Sequence, residues 1–183
     1  TPLYSSAASD VYKRQLLRKA LTTATTRLLI VSPWITHQVV DRMFYASMEA
    51  LLRNGVEVSI GYGLADEADA GRVGNDKARQ KPPITVLAQR DLEDLQRRFQ
   101  NFSLRFLGNT HRKHLVCDNK FAVVTSFNWL SFRGDPKQKA RDELGFLVTE
   151  PGDVERLFQD GIELLRKGYD HPRSTSKGTG SRV

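Results

Sequence analysis

The sequence is poor in sulfur. Of its 183 residues one is cysteine, Cys117, and two are methionine. A single cysteine excludes a disulfide framework and a zinc site made of cysteines alone. It is compatible with a reducing compartment, and the cytoplasm is the favoured location. Long hydrophobic runs are also missing. Residues 28–31, Leu-Leu-Ile-Val, make a strand's worth of apolar chain, far short of the roughly 18–20 residues that cross a bilayer as a helix. No internal repeat is visible, so a stacked-repeat architecture is excluded.

What is present suits one globular domain. Hydrophobic residues make up 39% of the chain and charged residues 27%, enough to bury a core. The formal net charge is +7. Residues 1–15 hold a net +1 and residues 170–183 a net +2, which leaves +4 on residues 16–169. A modestly basic body is compatible with a phosphate-rich partner and does not by itself identify one.

The ends differ from the middle. Residues 170–183, DHPRSTSKGTGSRV, have almost no apolar side chains and are expected to form a disordered tail. Residues 1–15 begin without methionine and contain SDVYKRQ, a string similar to translated sequencing-adapter read-through. They are set aside as a non-native or disordered arm. On that expectation, a true N-terminus is missing upstream. The domain then occupies residues 16–169.

Within it, helical and strand patterns alternate. Apolar residues at 16, 17, 20, 21 and 24 predict a helix, and residues 27–33 a buried strand closed by a proline. The spacing predicts a helix over 38–54 that stops at Gly55, then a strand over 56–62 and a long polar loop over 63–83. A helix over 84–99 and strands over 104–107, 113–118, 120–127 and 144–149 follow. A helix over 154–167 closes the domain. This order implies an α/β fold, layered α-β-α, with a mixed central sheet: parallel pairs in the first half and a hairpin over 111–128.

Residues 110–128 carry the chemistry. Strand alternation puts His111 and Lys113 on one face, and Ser126 with Asn128 on one face. A turn at Asp118 and Asn119 would set His111 opposite Ser126. A histidine, a lysine, a serine and an asparagine then converge. That set suits a phosphodiester. Lys113 offers a positive charge to non-bridging oxygens, and Ser126 and Asn128 offer neutral donors. His111 is the side chain there able to attack near neutral pH. Attack needs a neutral ring nitrogen, so a carboxylate should orient the other one, and Glu143 is the candidate. Asp118, at the turn, is better suited to fixing the backbone.

These residues resemble a known pattern. His111-x-Lys113-x4-Asp118, six further residues and Thr125-Ser126-Phe127-Asn128 are similar to the HKD motif of the phospholipase D superfamily. The trailing Asn128-Trp129-Leu130-Ser131 and Glu143 also match. One position departs: the glycine common before the serine is Thr125, a slightly larger residue with the bulk to crowd the backbone but not expected to abolish activity. The resemblance implies a phospholipase D-like domain and a two-step reaction without metal or other cofactor. One histidine forms a phosphohistidine, and a second, from another HKD motif, protonates the leaving oxygen and then activates water. The catalytic set is His111, Lys113, Asp118, Ser126, Asn128 and Glu143, with Trp34 and Arg133 as further substrate-binding residues. This chain holds one such motif, since His37 and His171 lack a lysine and an aspartate at the required spacing. A working site therefore expects a homodimer or a missing second HKD domain.

Three functions compete. The small size, single motif and basic balance favour a nuclease acting on DNA or RNA. A lipid-directed phospholipase D or cardiolipin-synthase-like enzyme would want an acyl-chain groove that the sequence does not display. A nucleic-acid-binding C-terminal module of a larger ATPase or helicase is the third. Arg72, Lys77, Arg79 and Lys81, in the loop after Tyr62, could grip a nucleic-acid backbone. His111, His114 and Cys117 do not read as a metal site, because the two histidines have opposite strand parity. His114 is expected to be structural and Cys117 a small buried hydrophobe.

Overall fold

The computed structural model describes residues 6–63, 84–108, 110–131 and 144–168. Among the described residues the elements run α1 (Ser6–Thr23), β1 (Arg27–Ser32), α2 (Arg42–Arg53), β2 (Glu57–Tyr62), α3 (Ile84–Arg98), β3 (Phe102–Phe106), β4 (His114–Cys117), β5 (Phe121–Thr125), β6 (Gly145–Val148) and α4 (Pro151–Lys167). The strands make one six-stranded mixed sheet in the order β3-β2-β1-β4-β5-β6. The first three are parallel and the last three pair antiparallel. The architecture is the expected layered α/β domain.

The layers follow from side-chain alternation along β1. Leu28 and Ile30 face a core shared with α1, α2 and α3, which includes Leu17, Met48 and Leu92. Leu29 and Val31 face a second core under α4, with Val116, Ala122 and Val154. All four β1 side chains are fully buried, each contributing roughly 1.5–3 kcal/mol. A central strand covered on both faces reads as a continuous apolar run, which is why residues 28–31 were legible as a strand. Gly161 lets α4 lie close on the sheet, because a Cβ there would run into the Leu29 side chain.

Element boundaries moved where side chains capture the backbone. Helix α2 starts at Arg42 rather than at 38, because the Asp41 carboxylate accepts from the Met43 and Phe44 N–H groups and sets the cap. Helix α1 starts at Ser6, so ten residues of the segment set aside as an arm are helical, and Lys13 is buried. Strand β3 begins at Phe102, and α4 begins at Pro151 behind an Glu150 cap. Arg98 bonds the Tyr45 hydroxyl at 2.7 Å and pairs with Glu49, tying α3 to α2.

The hairpin register differs by one residue from the expected one. Cys117 pairs with Phe121 and His114 with Val124, so the turn spans Asp118, Asn119 and Lys120 and no longer sets His111 against Ser126. Asp118 stands at φ 50°, a left-handed conformation that aspartate tolerates better than most residues. Lys120 N–H closes the turn on the Cys117 carbonyl at 3.0 Å.

The tail over 170–183 and Arg72, Lys77, Arg79 and Lys81 lie outside the described residues. Among the described residues no helix is long and apolar enough to cross a membrane.

Candidate active site

The C-terminal ends of β1, β2, β3 and β5 and the N-terminal ends of β4 and β6 share one edge of the sheet. The chain leaves the far strand β3 and returns beside β1, so the parallel half meets the antiparallel half between β1 and β4. Open α/β sheets bind ligands at such switch points. A cavity of about 470 Å³ opens along this edge, lined by Trp34, His111, Lys113, Val124, Thr125, Ser126, Asn128, Leu144 and Phe146.

Buried polar groups brace the segments that line it. Ser32, with no exposure at the end of β1, donates to the Trp34 carbonyl at 3.0 Å and accepts from Leu130 N–H at 3.2 Å. Thr36 N–H donates to the Leu130 carbonyl at 2.8 Å. Gly63 links both halves: its N–H donates to the Pro33 carbonyl at 3.0 Å and its carbonyl accepts from Thr110 N–H at 3.2 Å. These bonds fix the backbone just before Trp34 and just before His111. Sequence reasoning missed Ser32 and Gly63. The available signals were a polar residue closing an all-apolar strand and a glycine ending another.

His111 is exposed, and Lys113 beside it is 5% exposed. The Lys113 ammonium donates to the His111 carbonyl at 3.0 Å and stands 3.3 Å from Nδ1 and 3.4 Å from Nε2 of the same residue. The Trp34 ring is perpendicular to the His111 ring, with centroids 6.0 Å apart.

The segment after β5 alternates. Ser126 and Asn128 face the cavity, while Phe127 and Trp129 pack into the core under α1 and α2. The Ser126 hydroxyl is engaged: it accepts from Leu144 N–H at 3.0 Å and reaches the Leu144 carbonyl at 3.3 Å. Asn128 lines the cavity, and its Oδ1 is buried with no partner among the described residues. Thr125 does not crowd the backbone. Its hydroxyl donates to the Leu144 carbonyl at 2.8 Å and accepts from Phe127 N–H at 3.1 Å.

The structure thus brings together Trp34, His111, Lys113, Ser126 and Asn128. It does not bring Asp118 there. Asp118 sits at the opposite end of β4, where its carboxylate accepts from the N–H groups of Thr25, Thr26 and Arg27 at 3.0, 2.8 and 2.9 Å and from Lys120 at 2.6 Å. Burial raises its carboxyl pKa, but the Lys120 ammonium and the backbone donors outweigh that and hold it well below the usual carboxylate range. Asp118 braces the β4–β5 turn against the start of β1, the backbone-fixing place read for it from the turn, and it does not line the cavity with the rest of the proposed catalytic set. Glu143 and Arg133 lie outside the described residues. Leu144, the neighbour of Glu143, is the residue that Thr125 and Ser126 hold.

Off the cavity, burial pushes the Cys117 thiol up to about 11, with Asp118 adding to the shift, so at neutral pH it is a small apolar group. His114 is buried with Nδ1 unpartnered among the described residues, and its pKa is lowered by burial and by Arg112. His37 pairs with Asp91 at 2.9 Å and does not line the cavity. Among the described residues no cluster of three or more acidic, histidine or cysteine side chains could hold a metal ion.

Comparison with known proteins bears on the family and the fold. A protein-family profile described as "Cardiolipin synthase, PLD-like domain" matches residues 17–158. Among solved structures, the chain is similar to Nuc from Salmonella typhimurium, a phospholipase D family member, at 17% identity and TM-score 0.58, covering 86% of this chain and 90% of that one. It is similar to the archaeal chromatin protein TrmBL2, described with a novel mode of DNA binding, at 12% identity and TM-score 0.55, covering 86% and 49%. It is also similar to phosphatidylserine synthase from Haemophilus influenzae Rd KW20, at 17% identity and TM-score 0.53, covering 86% and 36%. A search of curated proteins finds no match.

Proposed function

The chain belongs to the phospholipase D superfamily, and from that premise we propose that it is a metal-independent phosphodiesterase that cleaves DNA or RNA through a phosphohistidine. One observation carries the reading: the Lys113 ammonium lies 3.3–3.4 Å from both ring nitrogens of His111, at the mouth of a cavity whose wall includes Asn128. A phosphate held by that cation is presented to the imidazole.

In the proposed reaction a neutral His111 nitrogen attacks phosphorus and the bond to the leaving oxygen breaks. Lys113 and Asn128 stabilise the charge gathering on the non-bridging oxygens. A second histidine gives the leaving oxygen its proton. Water then attacks the phosphohistidine, passes a proton to that second histidine, and releases His111. This chain has one HKD motif, so the second histidine comes from a homodimer partner or another HKD domain. Glu143 is the proposed orienter of the His111 ring, and Arg133 a proposed phosphate contact.

The family description and the phosphatidylserine synthase likeness support a second reading, in which the diester is a phospholipid. The TrmBL2 likeness supports a third, a binding module. Cleavage of plasmid and oligonucleotide DNA and of RNA in EDTA, with loss on His111→Ala, is the result the nuclease reading expects. Phosphatidyl transfer from vesicles without nucleic-acid cleavage would replace it with the second reading. Tight, salt-sensitive DNA binding without turnover would replace it with the third.

A further inference from the structure

We propose that this site takes single-stranded nucleic acid, and that Trp34 and Phe146 are the platforms for the bases on either side of the scissile phosphate; this rests on the nuclease reading above. The observation behind it is the layout of the cavity. Its polar members sit on the middle of the sheet edge: His111 and Lys113 lead into β4, and Ser126 and Asn128 follow β5. The aromatic members stand beyond them on both sides, Trp34 after β1 and Phe146 on β6.

Neither ring is consumed by packing. Phe146 is 50% exposed on the outermost strand, at a register position opposite Val124. Trp34 is half-buried and meets His111 at 89°, so the two rings do not stack on each other. A flat apolar ring beside a phosphate-sized cationic spot is the combination that holds an unpaired nucleotide. The ring takes the base face, and the cation takes the backbone.

Spacing selects the single strand. The elements carrying Trp34 and Phe146 are three strand spacings apart, on the order of 14 Å. Successive bases in a duplex rise only about 3.4 Å, with their faces covered by stacking. A base on each ring therefore requires neighbours that are unstacked and splayed, which a single strand permits and a paired duplex resists. A phospholipid fits less well. An acyl chain needs one continuous apolar channel, whereas the side chains of His111, Lys113, Ser126 and Asn128 stand between Trp34 and the apolar side of the cavity made by Val124, Leu144 and Phe146.

The test uses the full chain in EDTA. Substrates are a mixed-sequence DNA 12-mer, the same sequence as a duplex, methyl p-nitrophenyl phosphate and phosphatidylglycerol vesicles. The inference expects a kcat/KM on the single strand at least about tenfold above the duplex. Trp34→Leu and Phe146→Ala should each raise KM for the single strand about tenfold, as expected for loss of one stacked base. Binding is read separately with His111→Ala. Trp129 is fully buried, so quenching of tryptophan emission by the 12-mer reports Trp34 even if a platform variant folds poorly.

Equal cleavage of single strand and duplex, with no quenching and no change in KM, overturns the inference and leaves the nuclease reading intact. If Phe146→Ala converts a dimer to a monomer, the ring is a subunit contact and the inference falls. Turnover of the chromogenic diester or of vesicles, with none on either DNA or on the same 12-mer made as RNA, overturns the nuclease reading and the inference with it.

Discussion

Thr125 on β5 stands directly opposite Gly145 on β6, and the two positions share one space. A Cβ added at Gly145 would lie 3.0 Å from Thr125 Oγ1 and 3.2 Å from its Cβ. Thr125 replaces the glycine common at this place in the motif, and the room it needs comes from the missing side chain across the ladder.

This pair predicts a compensated double mutant. Gly145→Ala should destabilise the protein by about 1–3 kcal/mol by overpacking. Thr125→Gly in the same chain should recover part of that loss, although it forfeits the Thr125 bonds to Leu144 and Phe127. Urea unfolding of the four proteins gives the coupling, expected at about 1 kcal/mol. Additive losses would mean that the residues do not compete for space.

Asp118 predicts an acid-sensitive brace. Its folded pKa is depressed, so its contribution is fully present above the unfolded value near 3.9 and is lost as pH falls through the folded value. Asp118→Asn should cost about 3 kcal/mol at neutral pH, because it strips the partner from a nearly buried set of donors. It should also flatten the acid limb of stability below about pH 4. Thermal melts of both proteins from pH 2 to 7 check both effects.

His114 predicts a separate limb at higher pH. Its folded pKa is lowered by burial, then by Arg112, with Asp160 opposing. Its contribution is complete above about 6.5 and declines as pH falls toward the folded value. His114→Met should remove the stability loss that begins below about pH 6.5 and leave the Asp118 limb in place. An unchanged profile from pH 5 to 7 would place the proton elsewhere.

The core strands were legible because β1 is covered on both faces, so residues 28–31 need no tertiary information to be recognised. The clustering of His111, Lys113, Ser126 and Asn128 was legible, because they reach one cavity even though the register is shifted by one. They sit just beyond the paired parts of β4 and β5, so a one-residue change in register still leaves them at the same edge of the sheet. The shift itself was not legible. It depends on Asp118 turning left-handed while its carboxylate gathers donors from residues 25–27, more than ninety positions away. The engagement of Ser126 with Leu144 was hidden for the same reason, since nothing local to either residue announces that pairing.

The central claim is that His111 becomes covalently bonded to phosphorus. Brief reaction with a diester carrying radioactive phosphorus in EDTA, an alkaline quench, and mapping of the labelled peptide test it directly. Label is expected on the peptide holding His111, lost on acid treatment and absent from His111→Asn. Turnover in EDTA with no labelled peptide at any quench time, or label on a different residue, would contradict it.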